Sequence, residues 1–196
     1  MSITLVGICG TNGSGKDSIG HIMAEQFGFL FISVTELLRD EARARGLPVE
    51  RENLRMISAE WRREHGLGVL VDKAVEAYNN SDMKFEGLVM ASLRNPGEVD
   101  RLHELGGKEI WTDADPKIRY DRIRTANRGR DEEDSKTYEE FLAEEEAEMH
   151  ASGDKATLDM ATVKGMSDIF ITNDYADMES FAQAATAQLK TDLQLP

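Results

Sequence analysis

An apolar run at residues 3–9 leads directly into Gly10-Thr11-Asn12-Gly13-Ser14-Gly15-Lys16, and a helical pattern begins immediately afterwards. Strand, glycine-rich turn and helix in that order leave little choice of architecture. The glycines let the backbone curl so that successive N–H groups point inward, and the helix N-terminus adds partial positive charge there. A lysine closing the turn can reach the terminal oxygens of a bound phosphate chain. A plain strand-to-helix turn is the blander alternative, but both the order and the flanks fit a phosphate-binding loop. One position departs from the pattern G-x-x-x-x-G-K-[ST]: Asp17 stands where a hydroxyl is usual, and Ser18 follows it. A carboxylate is a hard oxygen ligand for Mg²⁺. Asp17 is therefore a candidate metal ligand, with helix capping as the alternative.

Downstream, apolar runs and helical periods alternate. Strands are predicted at residues 3–9, 29–32, 85–91, 109–112 and 168–172. Helices are predicted at 18–27, 33–45, 50–65, 69–78, 96–105, 115–125, 137–150 and 178–193. Ser33 with Glu36, and Thr137 with Glu140, have the spacing of capping boxes, and Asp115-Pro116 reads as a helix start. Strands separated by helices predict a five-stranded parallel sheet covered on both faces, a three-layer α/β fold. No composition shift marks a second domain, so residues 1–196 read as one unit.

Charge and composition exclude several partners. The net charge is −14, whereas affinity for extended nucleic acid comes from cations neutralising phosphates. The same argument disfavours an anionic membrane surface, while a local pocket for a small anion remains open. One cysteine, Cys9, rules out an internal disulfide and reads as a buried thiol. Without a leader-like or membrane-length apolar stretch, a cytoplasmic location is the default expectation. The four histidines are scattered, and no Cys-x-x-Cys, His-Glu-x-x-His or Gly-x-Ser-x-Gly occurs. Zinc and elbow-type serine chemistry are therefore not expected.

Taken with the loop, four further segments resemble the nucleoside monophosphate kinase group of P-loop proteins, and in particular adenylate-kinase-like, archaeal-type nucleotide kinases related to dephospho-CoA kinases. The first is Ser33-Val34-Thr35-Glu36-Leu37-Leu38-Arg39. It is similar to the family's acceptor-binding segment, which implies that Arg39 contacts the acceptor phosphate; pairing with Glu36 on an exposed helix is the alternative. The second, Ala91-Ser92-Leu93-Arg94-Asn95-Pro96, resembles the family's D-G-x-R strand end. That implies a phosphate contact for Arg94, against the alternative of a helix-start arginine pairing with Glu98. The family's strand carboxylate is replaced here by Ala91, and Asp17 is a candidate for taking over its part in handling Mg²⁺.

The third segment, from Thr112 through Arg119, Arg122, Arg124, Arg128 and Arg130, is similar to the strand, helix and lid that close over the triphosphate. The resemblance implies that Arg122 stacks on the adenine and that Arg128 or Arg130 reaches the transferring phosphates. A salt-bridged surface helix would explain the same arginines. The fourth is the last strand and Thr172-Asn173-Asp174-Tyr175, the loop that touches the adenine edge in the family. The acceptor-binding helices would then span about residues 33–80 and the lid about 127–137. Relatives carry an arginine in the helix after the lid; here residues 139–148 contain no basic residue. That run reads as a solvated acidic face, with Phe141, Leu142 and Met149 on its buried side.

The expectation is an ATP- and Mg²⁺-dependent phosphotransferase acting on a small phosphorylated acceptor, a nucleoside or deoxynucleoside monophosphate. A dephospho-CoA kinase-like activity is one alternative, and a nucleotide-binding regulatory or assembly ATPase with weak or no transfer is the other.

Overall fold

The computed structural model describes residues 3–125, 136–150 and 153–196. Its five strands are β1 (Thr4–Gly10), β2 (Phe29–Ser33), β3 (Gly87–Ala91), β4 (Lys108–Asp113) and β5 (Ile169–Thr172). They form one parallel sheet in the order β2-β3-β1-β4-β5. The predicted three-layer architecture is the observed one, with the strand that feeds the glycine-rich loop at the centre of the sheet.

Alternation along the central strands sorts side chains into two layers. Val6, Ile8, Val89 and Ala91 point to one face, where they pack on Ile19 and Met23 of α1 (Lys16–Phe27) and on Phe181 and Leu189 of α9 (Met178–Asp192). Leu5, Leu88 and Met90 point to the other, towards α2 (Val34–Ala44), α3 (Arg51–His65) and α4 (Val69–Asn79). A third cluster joins Cys9 and Trp111 to Val99 of α5 (Pro96–Glu104) and to Met160 and Val163 of α8 (Met160–Met166). Cys9 is fully buried, as its apolar surroundings predict. Each such fully buried aliphatic side chain stabilises the fold by roughly 1.5–3 kcal/mol, so the layers are held by burial. No helix among the described residues is long and apolar enough to cross a membrane.

Several sequence expectations need correction. Ser33 does precede α2, but its side chain makes no capping hydrogen bond, and the Glu36 carboxylate accepts from Arg39. The boxes that form are Thr137–Glu140, as predicted, at the start of α7 (Tyr138–Met149), and Asn95–Glu98 at the start of α5. The helix α8 was not predicted: seven residues containing an internal glycine carry too short a period, and it forms by burying Met160 and Val163. Leu142, expected inside, is 36% exposed, whereas Phe141 is buried against Tyr120 of α6 (Pro116–Thr125).

One core residue conflicts with its surroundings. Glu109 of β4 is fully buried facing Gly7, Leu93 and Leu102, and neither carboxyl oxygen has a partner among the described residues. Burial first, then the nearby Glu98 and Asp168, push its carboxyl well above the usual range. A folded-state acid with a raised pKa holds its proton when the unfolded chain has released it, so stability falls as pH rises above the unfolded value near 4.5. Glu109→Gln is therefore expected to be more stable than the parent at pH 7, with an advantage growing from pH 4 upwards by up to about 1 kcal/mol per pH unit. Urea denaturation of both proteins across that range checks this; a difference independent of pH would contradict it.

Candidate functional site

The loop between β1 and α1 is held by contacts from outside its curve. Gly10 has φ 147°, and a Cβ there would collide with the Thr112 carbonyl on β4. Gly15, at φ 99°, lies so close to Asn173 that a Cβ would sit 2.5 Å from its Nδ2. Three elements brace the loop. Thr11 Oγ1 donates to Asp113 Oδ1 at the end of β4 (2.7 Å). Asn173 Nδ2, after β5, donates to the Ser14 carbonyl (2.9 Å). Arg119 Nη1, on α6, donates to the Asn12 carbonyl (3.3 Å). No side chain caps α1, so its first-turn amides stay available to an anion.

Lys16 is 9% exposed and donates through Nζ to the Thr11 carbonyl (2.8 Å). That carbonyl also accepts from Ser14 Oγ (2.8 Å) and more weakly from Ser14 N (3.3 Å). Burial, followed by the Arg94 charge, lowers the Lys16 ammonium to about 8. Asp17 does not cap the helix, since the N-cap is Gly15; it is exposed in the first turn and lines the cleft together with Ser18.

That cleft, of about 550 Å³, lies at the carboxyl ends of the strands, where a parallel sheet presents its ligands. The glycine-rich loop forms one wall. The start of α2, the face of α3 carrying Arg51, Arg55 and Ser58, and Arg94 form the other. The structure thus brings Lys16, Asp17, Arg39 and Arg94 to one cavity. Arg39 also pairs with Glu36, so it is both an ion-pair partner and a cleft residue.

Arg94 follows Ser92, which adopts a left-handed backbone (φ 76°) while its N–H donates to the Ile8 carbonyl (2.7 Å). Glu98 fixes the turn: Oε2 accepts from the Arg94 amide (2.7 Å) and the Asn95 amide (3.1 Å). Its Oε1 accepts from Arg62 Nε (3.0 Å) and Nη2 (2.7 Å), a pair with side chains 2% and 0% exposed. Arg62 further binds Ser58 Oγ and the Ala156 carbonyl. Glu98 therefore holds the Arg94 backbone rather than its guanidinium. Those guanidinium charges are met instead by Glu148 of α7 (3.4 Å).

The other arginines divide. Arg122 Nη2 donates to Asn173 Oδ1 (3.2 Å) and the Tyr175 carbonyl (2.9 Å), while its buried Nη1 has no partner among the described residues. It thus lies against the loop after β5. Arg119 is almost fully buried between the Ala114 and Asn12 carbonyls and both carboxyl oxygens of Glu145. Arg128 and Arg130, with most of the expected lid, lie outside the described residues. The acidic run of α7 is more than a solvated face: Glu145 grips Arg119, and Glu148 accepts from Arg51 (3.2 Å) and Arg55 (2.6 Å) as well as Arg94. Burial pushes the Glu148 carboxyl up, but Arg94, Arg51 and Arg55 outweigh it and hold it below the usual range.

The residues present fit a nucleoside triphosphate: a backbone cradle, a buried lysine at its end and an open cleft in front. For a Mg²⁺ ion they offer Asp17 and Ser18, in keeping with a cation that takes few protein ligands and relies on phosphate oxygens and water. No group of three or more His, Cys, Asp or Glu side chains is placed to hold a metal among the described residues.

Two outcomes follow. Because burial lowers the Lys16 ammonium to about 8, a polyanion beside it restores the charged form, so ATP binding at pH 8–8.5 is expected to take up close to half a proton or more. Calorimetry in buffers of different ionisation enthalpy measures this, and zero uptake would contradict it. Replacing Arg62 by Leu leaves Glu98 buried and unpaired, an expected cost of about 3–5 kcal/mol in chemical denaturation; a change below about 1 kcal/mol would contradict the structural role assigned to the pair.

Residues 6–149 match the family described as an AAA domain. The chain is 30% identical over 177 residues to a UPF0200 protein of Methanothermobacter thermautotrophicus, covering 89% of this chain and 80% of that one. It is 29% identical over 171 residues to a UPF0200 protein of Pyrococcus abyssi, covering 85% and 86%. Among solved structures, a shikimate kinase from Bacteroides thetaiotaomicron superposes with a TM-score of 0.64 at 14% identity, covering 98% of this chain and 99% of that one. A putative kinase from Chloroflexus aurantiacus superposes with a TM-score of 0.52 at 18% identity, covering 96% and 100%. At such identities the likeness establishes the fold. The phosphate loop, the sheet order and these matches agree: the chain belongs to the UPF0200 family and carries an AAA-type P-loop domain of kinase-like fold.

Proposed function

We propose that this protein transfers the γ-phosphoryl group of ATP to a small phosphorylated acceptor, a nucleoside or deoxynucleoside monophosphate. The observation that carries the reading is the single cleft with a phosphate loop on one wall and arginines on the other. A protein that only bound or hydrolysed ATP would not need the second wall.

In this reading the loop amides and Lys16 hold the β- and γ-phosphates, while Arg122 and the loop at Asn173 border the base. Asp17 and Ser18 would hold the accompanying Mg²⁺, which would supply charge neutralisation to the phosphates. Arg39 and Arg94 hold the acceptor phosphate so that one of its oxygens faces the γ-phosphorus. That oxygen is already anionic, so attack needs no general base. A bond forms from it to phosphorus, the bond from the γ-phosphorus to the bridging oxygen breaks, and the electron pair leaves on ADP. Positioning and fixed positive charge are the protein's contribution. Arg128, by its resemblance to a lid arginine, is assigned to the charge that develops on the transferring group.

The fully buried Ala91 at the end of β3 favours a second reading. Without the carboxylate usual at that strand end, the domain would bind ATP as a regulatory or assembly module and transfer little.

Incubating ATP and Mg²⁺ with a panel of NMPs, dNMPs and dephospho-CoA, and following ADP together with phosphorylated product, separates the readings. Transfer to at least one monophosphate is expected, and Lys16→Ala or Arg94→Ala is expected to lower kcat/KM by about 10²-fold or more. Tight ATP binding with no transfer to any member would overturn the kinase reading; transfer to dephospho-CoA alone would change the acceptor to a ribose hydroxyl. Asp17→Ala is expected to raise the Mg²⁺ concentration needed for half-maximal rate, and an unchanged requirement would remove Asp17 from the metal site.

A further inference from the structure

Three arginines from two separate segments converge on one carboxylate at the edge of the cleft. Arg51 and Arg55 stand one turn apart on α3, Arg94 follows β3, and all three donate to Glu148 near the end of α7. The Glu148 side chain is only 12% exposed. Arg51 reaches Glu144 as well, at 3.7 Å.

Three guanidinium groups thus share the Glu148 carboxylate, and Arg51, Arg55 and Arg94 also line the cavity. Planar guanidinium forks suit tetrahedral phosphate as well as they suit carboxylate. A phosphate dianion brings more acceptor oxygens and more charge to three such donors than one carboxylate does. We propose that Arg51, Arg55 and Arg94 form the receptor for the acceptor's phosphate dianion, and that Glu148 is an internal stand-in that the dianion displaces. Arg51 and Arg55 thereby join Arg94 as acceptor-binding residues, and α7 senses acceptor arrival through Glu148. The same helix grips Arg119 behind the phosphate loop through Glu145, three residues earlier. Release at Glu148 thus acts on a helix that touches both walls.

This inference rests on the phosphorylated-acceptor reading, and equilibrium binding tests it without any turnover. The probes are inorganic phosphate, with acetate as the monoanion control, titrated calorimetrically into protein saturated with a non-hydrolysable ATP analogue. Glu148→Gln keeps the shape and removes the competing charge, so phosphate is expected to bind it about tenfold tighter than the parent. Arg51→Ala/Arg55→Ala is expected to weaken phosphate binding at least tenfold while leaving affinity for the analogue unchanged. Equal or weaker phosphate binding by Glu148→Gln would overturn the displacement, and an unaffected double variant would overturn the receptor. Acetate binding that responds as strongly as phosphate would replace the dianion by a carboxylate ligand. If Glu148→Gln does not fold, amide exchange in the parent decides: phosphate must speed exchange in the last turn of α7, and unchanged or slower exchange there refutes displacement. These results are independent of transfer, since a binding module without kinase activity would show the same phosphate response. A kinase with its acceptor held elsewhere would show transfer unaffected by the double variant.

Discussion

A loop that turns its own amides inward gathers like partial charges around one point, and it must be braced from outside. Here the bracing comes from Asp113 on β4, Asn173 after β5 and Arg119 on α6. Gly10 and Gly15 have no side chain because strand β4 and Asn173 occupy that space. All three braces reach the loop from the side of β1 on which β4 and β5 lie. The buried Lys16 is held inside the loop by the Thr11 carbonyl, and burial lowers its affinity for its proton. The resting loop is therefore organised for a polyanion before one arrives.

The wall opposite the loop is organised by charge. A chain of net charge −14 nevertheless places Arg39, Arg51, Arg55 and Arg94 around one cavity, each engaged by a carboxylate. Among the described residues only the Arg62–Glu98 pair is fully buried, and it fixes a backbone: Glu98 serves Arg62 and the amides at the Arg94 turn together. Such a pair adds less to stability than to position, because its desolvation offsets much of its attraction. Glu148 of α7 differs in kind, since it meets Arg51, Arg55 and Arg94, which line the cavity.

Much of this was readable before any coordinates. The parallel sheet and the phosphate loop were legible because both depend on contiguous residues: apolar runs of strand length and glycines at fixed offsets. Arg94 was legible because it ends a strand. Arg51 and Arg55 were overlooked, although with Ser58 and Arg62 they fall at helical spacing along one face of α3, a polar stripe where an apolar one is usual. Asn173, Asp113 and Glu148 were invisible as partners because each acts on a residue roughly fifty or more positions away, and no local period records that. The acidic run of α7 was misjudged for the same reason, since its cations come from α3, α6 and the Arg94 turn. Helix α8 was missed because its short run gains stability only from contact with Trp111 and Cys9.

The central claim is that one cleft holds a triphosphate and an acceptor phosphate side by side. The most direct measurement is an equilibrium titration of AMP, or of whichever monophosphate binds, into protein with and without a saturating non-hydrolysable ATP analogue and Mg²⁺. If the two walls are separate subsites, both ligands bind at once with one-to-one stoichiometry each, and the analogue leaves the monophosphate affinity unchanged or improves it. Competition between them, with the monophosphate displaced as the analogue fills the loop, would show a single phosphate site and contradict the account.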